Sequence, residues 1–179
     1  MIQSPRTPDE QSMLIAWQQH AYTKFALRDP EATLATMTEN PHVLLVPSRT
    51  GGEGRKAVRD FYANAFFPNI PLDLELTPLS RLFGRSHLIE ESMARFTHSM
   101  RMDWVLPGLE PTGRHVEFVL VSIVGLQEGK VAFERLYWDQ ATVLSQLGAL
   151  NHSVARAGID SAATLLQMTM GKKEALQAW

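Results

Sequence analysis

The chain has 179 residues, 45% of them hydrophobic, with 17 Lys and Arg against 19 Asp and Glu for a net charge of −2. That much apolar content in a chain of this length supports one folded domain with a real core and excludes a disordered segment. Acids and bases are interspersed, leaving no basic patch for a nucleic-acid backbone, and the lack of cysteine excludes a disulfide scaffold, a thiolate metal site and a cysteine nucleophile.

The opening residues "MIQSPRTPDEQSM" lack the apolar stretch of a secretory signal, and no apolar run reaches the ~18 residues of a membrane span. A cytoplasmic protein with no membrane partner is expected. Met13, Leu14, Trp17, Ala21 and Phe25 then recur at helical spacing, with Thr7 or Asp9 as cap and Pro8 in the first turn. Asp29 precedes Pro30, so it leaves the α region and can cap a short second helix over residues 30–37. "HVLLVP" (42–47) reads as a short strand and "SRTGGEG" (48–54) as a turn. "RKAVRDFYANAFF" (55–67) is a third helix with Val58, Phe61, Tyr62 and Phe66 on one side.

Four long strands follow. Residues 72–84 and 86–100 alternate around a hairpin at Gly84; 115–126 is strongly β-branched; "QEGK" turns the chain into 131–138. From Gln140 the pattern is helical again, with Asp160 as a cap for "SAATLLQMTMGKKEALQAW". The expected class is α+β, with helices on one face of a curved, mostly antiparallel sheet and a ligand cavity on the concave side. One domain is expected over residues 1–148, with 149–179 as its C-terminal helical extension.

"ATMTENPHVLLVPSRTGGEGRKAVRDFY", "PTGRHVEFVLVSIVGLQEGKV" and "ERLYWDQ" together resemble the SnoaL-like branch of the nuclear transport factor 2-like (NTF2-like) superfamily, over about residues 11–147. The resemblance implies a cone: a curved sheet wrapped round three N-terminal helices and enclosing an apolar pocket. The superfamily includes polyketide cyclases, ketosteroid isomerases, epoxide hydrolases, dehydratases and non-catalytic binders, so fold alone does not choose among them. Matched by register, Val116, Phe118, Leu120 and Ser122 would face the pocket, as would Glu134, Leu136 and Trp138. Arg135, Tyr137 and Asp139 would lie on the alternate face. The superfamily's isomerases carry a base on the first short strand, where this chain has Leu44 or Leu45.

The candidate catalytic residues are therefore Glu134, His98 and Asp103. A carboxyl at 134 in an apolar pocket would have its pKa raised into the acid–base range, unless it forms an ion pair with Arg95 or Arg135. His98 stands at the start of a long connection, 99–113, and Asp103 lies within it, so the two can form a carboxylate–imidazole pair; the same loop, through Trp104, Val105 and Leu106, can instead pack on a rim or a second subunit. Candidate binding residues are Trp138, Leu136, Phe118, Leu120, Ser122, His20, Trp104 and Asp139. Asp139 reads first as an N-cap and second as a late-strand base; His20 as a helix histidine or a pocket donor. His115 and Glu117 alternate on one strand without a third ligand, so no metal is expected.

The resemblance implies a small-molecule enzyme like SnoaL-like polyketide cyclases and isomerases. It would do cofactor-independent acid–base chemistry on an apolar carbonyl compound. The alternative is a non-catalytic binder of an apolar metabolite, or a dimeric structural module. A homodimer through the outer sheet face, where Arg135 and Tyr137 lie, is the expected assembly.

Overall fold

A computed structural model describes residues 6–150 and Leu165. Helix α1 spans Pro8–Ala21 and starts with a capping box: the Thr7 hydroxyl accepts from the Glu10 amide at 3.3 Å, and the Glu10 carboxylate accepts from the Thr7 amide at 2.8 Å. It runs on as a wider π-helical segment, Tyr22–Leu27, and stops at Arg28, whose φ of 52° is left-handed. Asp29 caps α2, Pro30–Ala35, through the amides of Glu31 and Ala32. That helix is shorter than its periodicity suggests, because strand β1 already begins at Met37 and extends to Leu45. Pro41 is accommodated where the pairing of β1 shifts between Met37 and His42.

The expected turn at 48–54 holds a further strand, β2, Thr50–Glu53, paired antiparallel with β1. Its two glycines hid it, since they provide no side-chain alternation. They are there for space: a Cβ on Gly51 would lie 2.0 Å from the Val43 carbonyl oxygen, and one on Gly52 2.5 Å from the Ala57 backbone. Helix α3, Gly54–Asp60, continues through a π-helical segment, Phe61–Phe66, into a short 3₁₀ turn.

Strands β3 (Glu75–Phe83), β4 (His87–Thr97), β5 (His115–Gln127) and β6 (Lys130–Trp138) lie close to their expected positions, and α4 (Gln140–Gln146) follows. The six strands form one curved, unclosed sheet in the order β2-β1-β6-β5-β4-β3; β1 and β6 run parallel and the other pairs antiparallel. Alternation sends Leu88, Glu90, Ser92, Ala94 and Phe96 of β4, with Val116, Phe118, Leu120, Ser122 and Val124 of β5, to the buried face. Trp17, Tyr62 and Phe66 from the helices belong to the same core.

Residues 98–114 fold back into this core. Met102, Trp104, Val105 and Leu106 are buried; the Trp104 ring meets Phe66 edge-on at 4.7 Å, and its Nε1–H donates to the Asn69 carbonyl at 2.8 Å. The loop is thus a plug of its own domain, neither a lid nor a rim. The helix expected after Asp160 falls outside the described residues, apart from Leu165, which is helical. Among the described residues no helix is long and apolar enough to cross a membrane.

Candidate functional site

Three side chains one helical turn apart start the site. Trp17, His20 and Lys24 follow at spacings of three and four, so they share the face of the first helix that meets the sheet. His20 and Lys24 are 0% and 1% exposed. Opposite them stands Glu134 on β6, 1% exposed. The Lys24 Nζ donates to both carboxylate oxygens, at 2.5 and 2.6 Å. From α3's continuation the Tyr62 hydroxyl donates to Glu134 Oε2 at 3.4 Å. The ammonium also lies over the rings of Phe25 and Phe66 at 5.1 and 5.3 Å.

His20 completes the cluster, and its tautomer follows from its neighbour. The Thr36 hydroxyl donates its one proton to the Thr33 carbonyl at 2.6 Å, so at 2.7 Å it must accept from His20 Nδ1–H. Nε2 therefore carries the lone pair. It has no hydrogen-bond partner and sits 3.8 Å from Glu134 Oε2. Burial holds the imidazole below its ordinary pKa, against the opposing pull of Glu134, so it is neutral.

Burial is also the largest influence on Glu134 and pushes its carboxyl up, but the Lys24 ammonium, through its charge and its hydrogen bonds, opposes burial and holds the pKa down at about 2. This corrects the expectation of a raised pKa. It also replaces the expected arginine partner: Arg95 pairs with Glu117, and Arg135 lies over the Phe133 ring on the outer face. Burial, followed by the Glu134 charge, pushes the Tyr62 phenol well above its usual value.

Glu134 forms part of the wall of a cavity of about 320 Å³ between the first helix and the sheet. Trp17, Phe25, Ile70, Leu120 and Leu136 supply apolar wall, and a second polar group faces in from the far strands. There Glu90 on β4 pairs with Arg81 on β3 and accepts from the Ser92 hydroxyl at 3.3 Å. Arg28, Gln18 and Ser122 also line the space.

Of the residues expected from sequence, Glu134, Leu136, Leu120 and Ser122 line this cavity. Phe118 and Trp138 do not; their rings lie 6.2 Å apart, with the Trp138 Nε1–H directed to Gln140. His20 stands behind Glu134 rather than at the wall. His98 and Asp103 form no pair. His98 is buried with Nδ1 accepting from the Thr112 amide at 3.3 Å, whereas Asp103 is exposed and takes its bonds from Arg101 and Gly108, both at 2.9 Å. Trp104 belongs to the core plug. Asp139 caps α4, accepting from Ala141 and Thr142 amides at 2.9 and 3.3 Å, and the Thr142 hydroxyl and these amides lower its pKa. On the first strand the inward position is Leu45, 1% exposed, so no proton-carrying group stands there.

Lys24, Tyr62, Glu90, Arg81 and Arg28 were missed. Lys24 sits on the apolar stripe four residues after His20, and Glu90 shares its strand face with Leu88 and Phe96; a charge in phase with apolar positions was the available signal.

No family model and no curated protein matches the chain. Solved structures do. A SnoaL-like polyketide cyclase, so described, from Jannaschia sp. CCS1 superposes with a TM-score of 0.68 at 18% identity, covering 83% of this chain and 100% of its own. TsrD from Streptomyces laurentii gives 0.63 at 17%, covering 80% and 100%. SalBIII, an epoxide hydrolase/cyclase-like enzyme of salinomycin pyran-ring formation, gives 0.56 at 21%, covering 76% and 97%. Near-complete coverage of those structures shows that the chain shares the fold of these SnoaL-like and NTF2-like structures.

Proposed function

We propose that this protein is a small-molecule enzyme of the acid–base type, acting without a cofactor on an apolar carbonyl compound held in the cavity. One observation carries the reading: an ionised, fully buried carboxylate at the cavity wall, backed by a neutral imidazole with a free lone pair. Glu134 takes a proton from the carbon next to the substrate carbonyl, and the electron pair moves onto the carbonyl oxygen as an enolate. The proton then lies beside His20 Nε2, which accepts its hydrogen bond. Returning it to a different carbon isomerises the substrate; attack of the enolate carbon on a second carbonyl closes a ring.

Lys24 sets the basicity of Glu134. Burial alone makes a carboxylate a stronger base, and the ammonium reverses that. The cavity is near the small end of ligand clefts, ~300–1,000 Å³, which suits a compound of two or so fused rings.

The test is α-proton exchange of 2-tetralone, an apolar bicyclic ketone, followed by NMR in D₂O. Wild-type protein should accelerate exchange, and Glu134→Gln should slow it by ~100-fold or more. Unchanged exchange in that variant removes Glu134 from the chemistry. The low pKa of Glu134 and the leucine at the first-strand position favour a second reading, a non-catalytic binder; tetralone binding with no accelerated exchange would select it.

A further inference from the structure

The charges around the cavity do not balance. Lys24 neutralises Glu134 and Arg81 neutralises Glu90. Arg28 remains: it lines the cavity, yet among the described residues it has no acidic partner. Its guanidinium donates only to main-chain carbonyls, from Nη1 to Ile70 at 3.2 Å and from Nη2 to Pro71 at 3.5 Å. Those bonds anchor a group that has five N–H donors and leave most of them free. The residue is also held at a φ of 52°, where a non-glycine side chain is uncommon.

A second, independent donor lies on the sheet. Ser122 is 5% exposed and lines the same cavity, and its hydroxyl has no hydrogen-bond partner among the described residues. It stands on β5 directly across from Glu90 on one side and Leu136 on the other. Its hydroxyl is therefore free to donate to a molecule in the cavity.

We propose that Arg28 and Ser122 form an anion subsite, so that the cavity takes a fused-ring or aryl compound bearing a carboxylate or acidic enol oxygen. The guanidinium fork receives the anionic oxygens and the apolar wall of Trp17, Phe25 and Leu136 receives the rings. The inference deepens the carbonyl-substrate reading and rests on the same cavity, but it concerns binding alone. A protein that binds such anions without exchanging protons of 2-tetralone would keep the subsite and lose the enzyme.

Isothermal titration of the full chain with 2-naphthoate and with 2-acetylnaphthalene, its neutral ketone counterpart, tests it. Wild type should prefer naphthoate by about tenfold or more. Arg28→Gln should remove that preference and leave acetylnaphthalene affinity unchanged, and Ser122→Ala should weaken naphthoate by a smaller factor. Arg28→Lys, which keeps the charge and loses the fork, should retain part of the preference and guards against loss of fold in the glutamine variant. Equal affinity of wild type for the two probes, no naphthoate binding, or full preference in Arg28→Gln overturns the proposal.

Discussion

Lys24 and Glu134 are each 1% exposed, so their free energy depends on being together. Two charges taken out of water recover the desolvation cost only through their mutual attraction, and a lone survivor recovers none of it. Lys24→Met should therefore destabilise the protein by about 3–5 kcal/mol at neutral pH, and Glu134→Gln by a similar amount, in urea denaturation. The double variant Lys24→Met, Glu134→Leu should recover most of that loss, because an apolar pair of similar volume leaves no buried charge. If the single changes each cost under about 1 kcal/mol, the pair is not buried as described. In Lys24→Met the Glu134 carboxyl should also titrate well above about 2, since the charge that most opposes burial is gone. Carboxyl ¹³C NMR reads that directly.

Among the elements, the β2–α3 unit is the one most dependent on single residues. Gly52 brings β2 against the start of α3 so closely that a methyl would meet the Ala57 backbone at 2.5 Å. Main chain cannot swing aside as a side chain can, so Gly52→Ala should cost about 1–3 kcal/mol, seen as a lowered thermal midpoint. Asp139→Ala at the start of α4 should cost only ~1 kcal/mol, the ordinary loss of an N-cap, with no change in tetralone exchange. A large loss of exchange in Asp139→Ala would return that residue to the chemistry. Caps and long strands were legible in the sequence because they depend on neighbours within a few positions: Thr7, Asp29 and Asp139 each act on amides two or three residues on. β2 was not legible, since glycines chosen for close approach carry no alternation. The Lys24–Glu134 pair was half legible. Register placed Glu134 inward, but its partner lies 110 residues away, and nothing local names it.

For the molecule as a whole, the buried ionisable cluster predicts sensitivity to acid. His20 is held below 6.5, so as pH falls past that value the unfolded chain takes up a proton the folded chain resists, and stability declines. Glu134, lowered from 4.5 to about 2, adds stability that is complete above 4.5 and is lost as pH falls from there toward 2. Thermal midpoints measured from pH 8 to pH 3 should fall in two stages, the first shallow and the second steeper. The Lys24→Met, Glu134→Leu variant should show a shallower second stage, since the exposed aspartates with lowered pKa values, Asp139 among them, remain. A midpoint that stays level from pH 5 to pH 3 in wild type would contradict the placement of Glu134.

The cavity, its carboxylate and the charge imbalance all lead to one arrangement, with a carbonyl compound's acidic carbon facing Glu134. A crystal structure of the complex with 2-tetralone measures it. The α-carbon should lie about 3–3.5 Å from a Glu134 carboxylate oxygen, the separation proton transfer requires. A ketone bound elsewhere on the protein, or one seated in the cavity with that carbon turned away from Glu134, would contradict the account.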